Sequence, residues 1–339
     1  MPKKYLIADE FGTHIGKHSQ RLRLTRSKTR EKLGDYPLLH LEAVLVLSQG
    51  VSVSADAVQA CSERGIPIFF IAGTGRVYAL LYSAALVGTV STRRAQIRAY
   101  DDERGVAVAI AMAQGKLRNQ RAALRYFAKN AEAVRADAVQ IAAQHVQDGI
   151  VELDRLPRTA SLDEIRNILL GIEGRAATHY WEGVRAILRP TFDWPGRRTR
   201  GANDVFNQAL NYGYGVLYGQ VERALLLAGL DPYAGFLHAD RPGKPSLVLD
   251  LIEEFRQQVV DRPLIGYVNK GGHLEQDEEG LAKPTRRKIA ELVLDRLTTR
   301  MPFEGERLSL NTILQTQARR LAMFLRGERD AYEPFVGTW

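Results

Sequence analysis

Hydrophobic and polar positions change rhythm along the chain near residue 90. Before it, short apolar or alternating runs are separated by turn residues: YLIAD at 5–9, the alternation Arg21-Leu22-Arg23-Leu24, AVLVLS at 43–48 and IPIFFI at 66–71, then a hairpin signal through Gly73 and Gly75 into RVYALLYS. Runs of this kind predict β-strands. Ser54–Arg64 reads as the one helix of this part, with Gly65 as its expected C-terminal residue. From about Ser91 the texture becomes long Ala-, Leu- and Arg-rich windows with helical spacing. The shift predicts two domains, a β-rich one over residues 1–90 and a helical one over residues 91–339. One later segment, 261–283, breaks the helical pattern with Pro263, Gly266, Gly271, Gly272 and the acidic group Asp277, Glu278, Glu279, and is expected to be a loop or small hairpin.

Within the helical part, the 22-residue stretch Gly235–Arg256, GFLHADRPGKPSLVLDLIEEFR, carries the most chemistry. A helix starting near Ser246, at about 100° per residue, lines up Leu247, Leu251, Phe255 and Val259 as an apolar stripe. Asp250, Glu253, Glu254 and Gln257 fall on the other face. Three carboxylates so close together imply either a fully solvated face or a cation that neutralises them. His238, a short loop upstream, supplies an imidazole, and a mixed nitrogen and oxygen set suits manganese or magnesium better than a structural zinc.

Composition widens the picture only modestly. The 339 residues, 45% apolar, can bury a sizeable core, and a net charge of +8 with a pI near 9.5 suits a polyanionic partner. Cys61 is the single cysteine, which excludes an intrachain disulfide and suits a reducing compartment. No apolar run approaches the roughly 20 residues needed to span a bilayer, and no secretory h-region is evident, so the expected location is the cytoplasm, away from membranes.

Further candidates are spread along the chain. Glu173 lies in a helical window starting near Ser161, bracketed by Gly171 and Gly174, which would let another helix or a ligand approach closely. His179, six residues on and so on the far side of an ideal helix, reads as structural. Glu254 reads as a solvated neighbour of the acid cluster, Asp204 and Asn207 as capping or supporting residues. Tyr212, Tyr214 and Tyr218 read as core or helix interface, and His273 has no evident partner. Basic residues concentrate twice. Seven lie between Lys17 and Lys32 against the single acid Glu31, which a solvated hairpin face and DNA contact explain equally well. Arg185, Arg189, Arg197, Arg198 and Arg200 lie between the two halves of the acidic site in sequence and favour DNA phosphates.

Taken with LLGIEGRAATHYW around Glu173, GANDVFNQALNYGYGVLY at 201–218 and the closing QTQARRLAMFLRGERDAYEPF, the Gly235–Arg256 stretch resembles the CRISPR-associated protein one family, the spacer-acquisition integrases of CRISPR adaptation. The resemblance covers nearly the whole chain. It implies an α+β two-domain protein, an N-terminal β-sandwich-like domain for dimerisation, partner and DNA contact, followed by a larger all-α catalytic domain. It implies that Glu173, His238 and Glu253 bind one Mg2+ or Mn2+, and that Asp250 belongs to the same catalytic group, either as a ligand or from behind one. Many relatives have aspartate where Glu253 stands. The implied reaction is attack of the 3′-hydroxyls of a short captured duplex on the phosphodiesters at the ends of a CRISPR repeat, by a homodimer joined to a dimer of CRISPR-associated protein two. The residues alone leave two rivals, a stand-alone metal-dependent DNA repair nuclease and a non-catalytic nucleic-acid-binding scaffold.

Overall fold

The computed structural model describes residues 4–81, 83, 90–129, 133–158, 161–199, 201–278 and 280–338. Its N-terminal strands form two four-stranded sheets. One holds β2 (Thr13–His18), β3 (Arg21–Arg26), β4 (Lys32–Pro37) and the short β6 (Ser52–Val53) in the order β4-β3-β2-β6. The other runs β1 (Tyr5–Ala8), β5 (Ala43–Val46), β7 (Ile68–Ile71), β8 (Val77–Leu81), parallel except for the β7–β8 hairpin. Leu6, Ile15, Leu22, Val44 and Ile68 meet in a core that also takes Ala57, Ala60 and Cys61 from α1 (Ala55–Glu63). Ser54 caps α1 through its hydroxyl, and Gly65 follows it at positive φ. The AVLV run is apolar throughout because β5 is buried on both faces: Val44 and Val46 face the sandwich, while Ala43 and Leu45 join the core of the helical part.

Helices follow from residue 90: α2 (Val90–Ala99), α3 (Glu103–Ala128), α4 (Ala133–Asp154), α5 (Leu162–Ile187), α6 (Val205–Leu227), α7 (Ser246–Ile252), α8 (Arg262–Asn269), α9 (Lys283–Thr298) and α10 (Leu310–Leu325). The long α3, α4 and α5 pack side by side, and α6 lies between α9, α10 and the β7–β8 hairpin. Small residues permit that last contact. A Cβ at Gly215 of α6 would lie 1.6 Å from the Gly75 carbonyl oxygen, and one at Gly219 would lie 2.8 Å from the Phe69 ring.

The helical part is not all-α. It contains two hairpins, β9 (Gln276–Asp277) with β10 (Gly280–Leu281) and β11 (Arg300–Phe303) with β12 (Glu306–Ser309). The expected loop over 261–283 is likewise half wrong. Pro263 stands in the first turn of α8, where a missing N–H costs nothing, and only the remainder forms a loop and the β9–β10 hairpin. Of the acidic group there, Glu279 lies outside the described residues.

The largest departure is at α7. The stripe Leu247, Leu251, Phe255, Val259 is fully buried as the spacing requires, but so are Asp250, Glu253, Glu254 and Gln257. The regular helix stops at Ile252, and Gln257–Asp261 runs as a wider π-turn before α8. Buried carboxylates need partners, and here those of Asp250, Glu253 and Glu254 lie in different directions, while Gln257 Oε1 has no hydrogen-bond partner among the described residues.

Candidate active site

Glu173 sits in the middle of α5, a helix started by a capping box in which Glu164 accepts the Ser161 amide at 2.8 Å and the Ser161 hydroxyl accepts the Glu164 amide. Its flanking glycines do not serve close packing. Gly171 and Gly174 are exposed, and a Cβ at Gly174 would meet nothing within 4 Å. What reaches Glu173 comes from the other side: Lys116 of α3 donates from its ammonium to Glu173 Oε1 and stands 2.9 Å from Glu253 Oε2. Arg256 pairs with the other oxygen of Glu253 at 2.5 Å and lies 4.8 Å from the centre of the Tyr214 ring. Glu173, Lys116, Glu253 and Arg256 therefore alternate in sign and sum to zero, which makes their joint burial tolerable.

The electrostatics follow from that alternation. Burial pushes the Glu253 carboxyl up, but Arg256, Lys116 and His238 together outweigh it and pull it down to about 2. Burial also works against the Lys116 charge, yet Glu173 and Glu253 hold the ammonium above its ordinary range.

Asp250, fully buried, accepts from the backbone amides of Phe236 (2.6 Å), Leu237 (3.0 Å) and His238 (2.9 Å), and its Oδ1 lies 2.7 Å from His238 Nδ1. It gathers the Phe236–His238 turn and fixes the ring, leaving Nε2 as the imidazole nitrogen open to another group. Each Asp250 oxygen accepts two of these bonds, Oδ2 from Phe236 and Leu237 and Oδ1 from His238.

Glu254 is no solvated neighbour. It accepts from Tyr332 Oη (2.7 Å), the Phe335 amide (2.8 Å) and Gln317 Nε2 (3.2 Å), and burial pushes its carboxyl up to about 7. Asp261 accepts from the hydroxyls of Tyr180 (2.7 Å) and Tyr214, and burial raises it to about 6. Asp204 caps α6, and Asn207 bonds to the Gly196 carbonyl and accepts from Arg197 and the Arg198 amide, so both support the chain from below. His179 pairs with Glu182 and stacks on His145, away from the cluster, and His273 is 3.8 Å from Glu275.

A cavity of about 1430 Å³ opens between the β7–β8 hairpin and α6 and reaches Lys116, Glu253, Arg256, Arg197 and Tyr214. Among the described residues, Arg197 is the sequence-predicted DNA cation that lines it. Its guanidinium donates to Asn207 Oδ1 (3.1 Å) and Asn211 Oδ1 (2.8 Å) between the Trp181 and Tyr214 rings. Arg185 and Arg198 are exposed elsewhere, Arg189 is tied through its amide to Asn269 near the start of the 270–275 loop, and Arg200 lies outside the described residues. In the N-terminal cluster, Arg23 and Lys32 pair with Asp35, and Arg26 with Glu10 and Glu31.

Two features were not read from the sequence. Lys116 follows eleven uncharged residues, 105–115, on a buried helix, and a lone cation ending such a run is the signal that could have found it. Arg118, Arg121, Arg125 and Lys129 recur every three or four residues of the same sequence and line a shallow groove of about 550 Å³ with Tyr126.

Among the described residues no three His, Cys, Asp or Glu side chains converge closely enough to hold an ion. The Glu173 and Glu253 carboxylates nonetheless fit a cation, because Lys116 already stands between them as one; the imidazole remains outside that pair. No helix of the described residues is long and apolar enough to cross a membrane.

Fold and site together define a class: a strand sandwich leading into a helical body whose buried acids meet a basic cavity. The chain belongs to the family described as CRISPR associated protein Cas1, whose model matches residues 6–292. It is 35% identical to a CRISPR-associated endonuclease Cas1 of Archaeoglobus fulgidus, over 98% of this chain and 99% of that one, and 32% identical to one of Francisella tularensis subsp. novicida, over 99% and 100%. In fold it is similar to a casposase bound to integration product (TM-score 0.82, 21% identity, 98% of this chain and 93% of that one). It is also similar in fold to a Cas1 protein of Thermotoga maritima (TM-score 0.76, 18% identity, 98% and 100%).

Proposed function

We propose that the protein is a DNA integrase and endonuclease of CRISPR adaptation that joins captured duplexes to the ends of a CRISPR repeat. The carrying observation is the convergence, in a chain of this family, of Glu173 and Glu253 on one buried cation position beside an imidazole fixed by Asp250. Glu173, Glu253 and His238 would hold Mg2+ or Mn2+, which would polarise the phosphodiester and stabilise charge on its oxygens. The oxygen of a 3′-hydroxyl gives up its proton and forms a bond to phosphorus as the repeat's own phosphorus–oxygen bond breaks, and the departing oxygen takes up a proton, so that one hydroxyl is consumed and one released. Asp250 holds His238 in one orientation, while Arg197 keeps positive charge at the cavity wall for phosphates.

Residues 91–339 are the catalytic body in this reading, and residues 1–90 provide dimerisation, partner and DNA contact. A homodimer would work with a dimer of the Cas2 kind in the cytoplasm; one solved relative in fold is a Cas6-RT-Cas1–Cas2 complex (TM-score 0.77, 20% identity, 99% of this chain and 36% of that one). The test is an integration assay with a supercoiled repeat-bearing plasmid and a short labelled duplex in Mn2+ or Mg2+, with and without that partner. Label joined at the repeat boundary by wild type and lost in His238→Ala supports the reading. Joining that survives the substitution removes His238 from the site, and cleavage without joining points to a repair nuclease instead.

A further inference from the structure

We propose that Lys116 is a built-in counter-cation of the acid site: its ammonium holds the Glu173 and Glu253 carboxylates together before a divalent ion arrives, and the ion must displace it to bind. The inference rests on the metal reading of this site. It adds that occupancy by metal is set by competition with a side chain of the protein itself.

The geometry points to this in three ways. First, Glu173 and Glu253 lie 80 residues apart in sequence and are 6% and 2% exposed. Without a cation between them, two buried carboxylates would repel and face the full cost of lost hydration. Second, Lys116 is the cation paired with both among the described residues. Arg256 acts on Glu173 only at longer range: its guanidinium pairs with the other oxygen of Glu253 and lies over Tyr214. Third, the ammonium has somewhere to go. Lys116 also lines the large cavity, and so does Gln120 one turn further along α3. Gln120 is 1% exposed, and its Oε1 has no hydrogen-bond partner among the described residues. The displaced ammonium can take that acceptor while a metal takes the carboxylates.

Ammonium and metal share the same two carboxylates, so each lowers the apparent affinity of the other. With Lys116 in place, both carboxylates are held toward α3.

The test is Mn2+ titration of the full chain without DNA, by calorimetry and by the metal-dependent shift in melting temperature, for wild type, Lys116→Gln, Lys116→Arg and Glu173→Gln. Lys116→Gln should melt lower than wild type in chelator, gain more from Mn2+, and bind it about tenfold more tightly, because the competing state is gone. Lys116→Arg keeps a cation and should stay near wild type, and Glu173→Gln should lose binding. Unchanged or weaker Mn2+ binding by Lys116→Gln overturns the proposal while leaving the metal site standing. Absence of binding in every variant and in wild type overturns the metal reading and this inference with it. Lys116→Met, uncharged and of similar length, replaces the Gln variant if that does not fold. Failure of both to fold in saturating Mn2+ also overturns the proposal, since the ion should take over the role of the ammonium.

Discussion

His238 Nδ1 lies 2.7 Å from Asp250 Oδ1, and that same oxygen accepts the backbone amide of His238 at 2.9 Å. One carboxylate thus fixes both the ring and the turn that carries it. Asparagine at 250 keeps the shape but offers one acceptor oxygen in place of two, and its NH2 group would face an amide donor. Asp250→Asn should lower integration about 10–100-fold, in the range expected when the group orienting a functional histidine is altered. Binding of duplex DNA, followed by gel shift, should stay within about twofold of wild type if Asp250 acts through His238 and not on DNA. Equal losses in both measurements would remove this role.

Glu254 makes stability depend on pH in an unusual direction for a carboxyl. Burial raises its folded pKa to about 7, from an ordinary value near 4.5. Between those values the folded chain keeps a proton that the unfolded chain has released, so stability falls as pH rises through that window, by about 3 kcal/mol at most for this group. Asp261, raised by burial to about 6, acts in the same sense. Urea melts at pH 5 and pH 8 should show wild type more stable at the lower value from these groups. In Glu254→Gln the difference should shrink by about 2–3 kcal/mol. An undiminished pH dependence would refute the assignment.

The chain's last segment is tied to the site through the same carboxylate. Phe335 stacks on Phe255 with ring centres 4.8 Å apart, its amide donates to Glu254, and its carbonyl accepts from Asn119 at 2.8 Å. Phe335→Ala removes the ring that stacks on Phe255, two residues from Glu253, and leaves the backbone amide that Glu254 accepts. It should cost about 3–5 kcal/mol in chemical denaturation. Integration at 25 °C should fall as well, because the segment holding Glu253 loses its backing. A loss below about 1 kcal/mol would mean that the tail is not part of the folded core.

What the sequence disclosed and what it hid divide along one physical line. β1, β5 and β7 were legible because buried strands are continuous apolar runs, whereas β2, THIGKH, mixes histidine and lysine into a strand with one face toward solvent. The segment with His238, Asp250 and Glu253 was legible because its members are neighbours in sequence. The fate of its polar face was not. Periodicity identifies the apolar stripe of α7, but whether the opposite face meets water or protein depends on Lys116 and Tyr332, which lie far away along the chain. Pro263 misled for a related reason: it marks a helix start as readily as a loop, and here it stands in the first turn of α8. The glycines beside Glu173 meet no neighbouring helix, since a small residue draws a helix close only where one passes.

The basic face of α3 supplies the last prediction. Arg121 is held below its ordinary range by burial and by Arg125, and Arg296, beside Arg262, is lowered by burial to about 10. Arg262 lies 4.4 Å from the centre of the Tyr126 ring in the same region. Asp154 also lines the groove, 4.0 Å from Arg118, and accepts from Gln114. Repulsion left standing in the free protein is relieved when phosphates arrive, so this groove should bind the backbone of duplex DNA. Reversing both charges in Arg121→Glu/Arg125→Glu should weaken duplex binding about 10–100-fold near 0.1 M salt and flatten the dependence of log affinity on log salt by about 2. Arg175→Glu changes an arginine already paired with Glu152 at 2.8 Å on an exposed face and is the matched control. If both variants lose affinity equally per charge reversed, the effect is one of net charge and the groove is not a DNA path. If only the α3 reversal flattens the salt dependence, the phosphates lie along Arg118–Lys129.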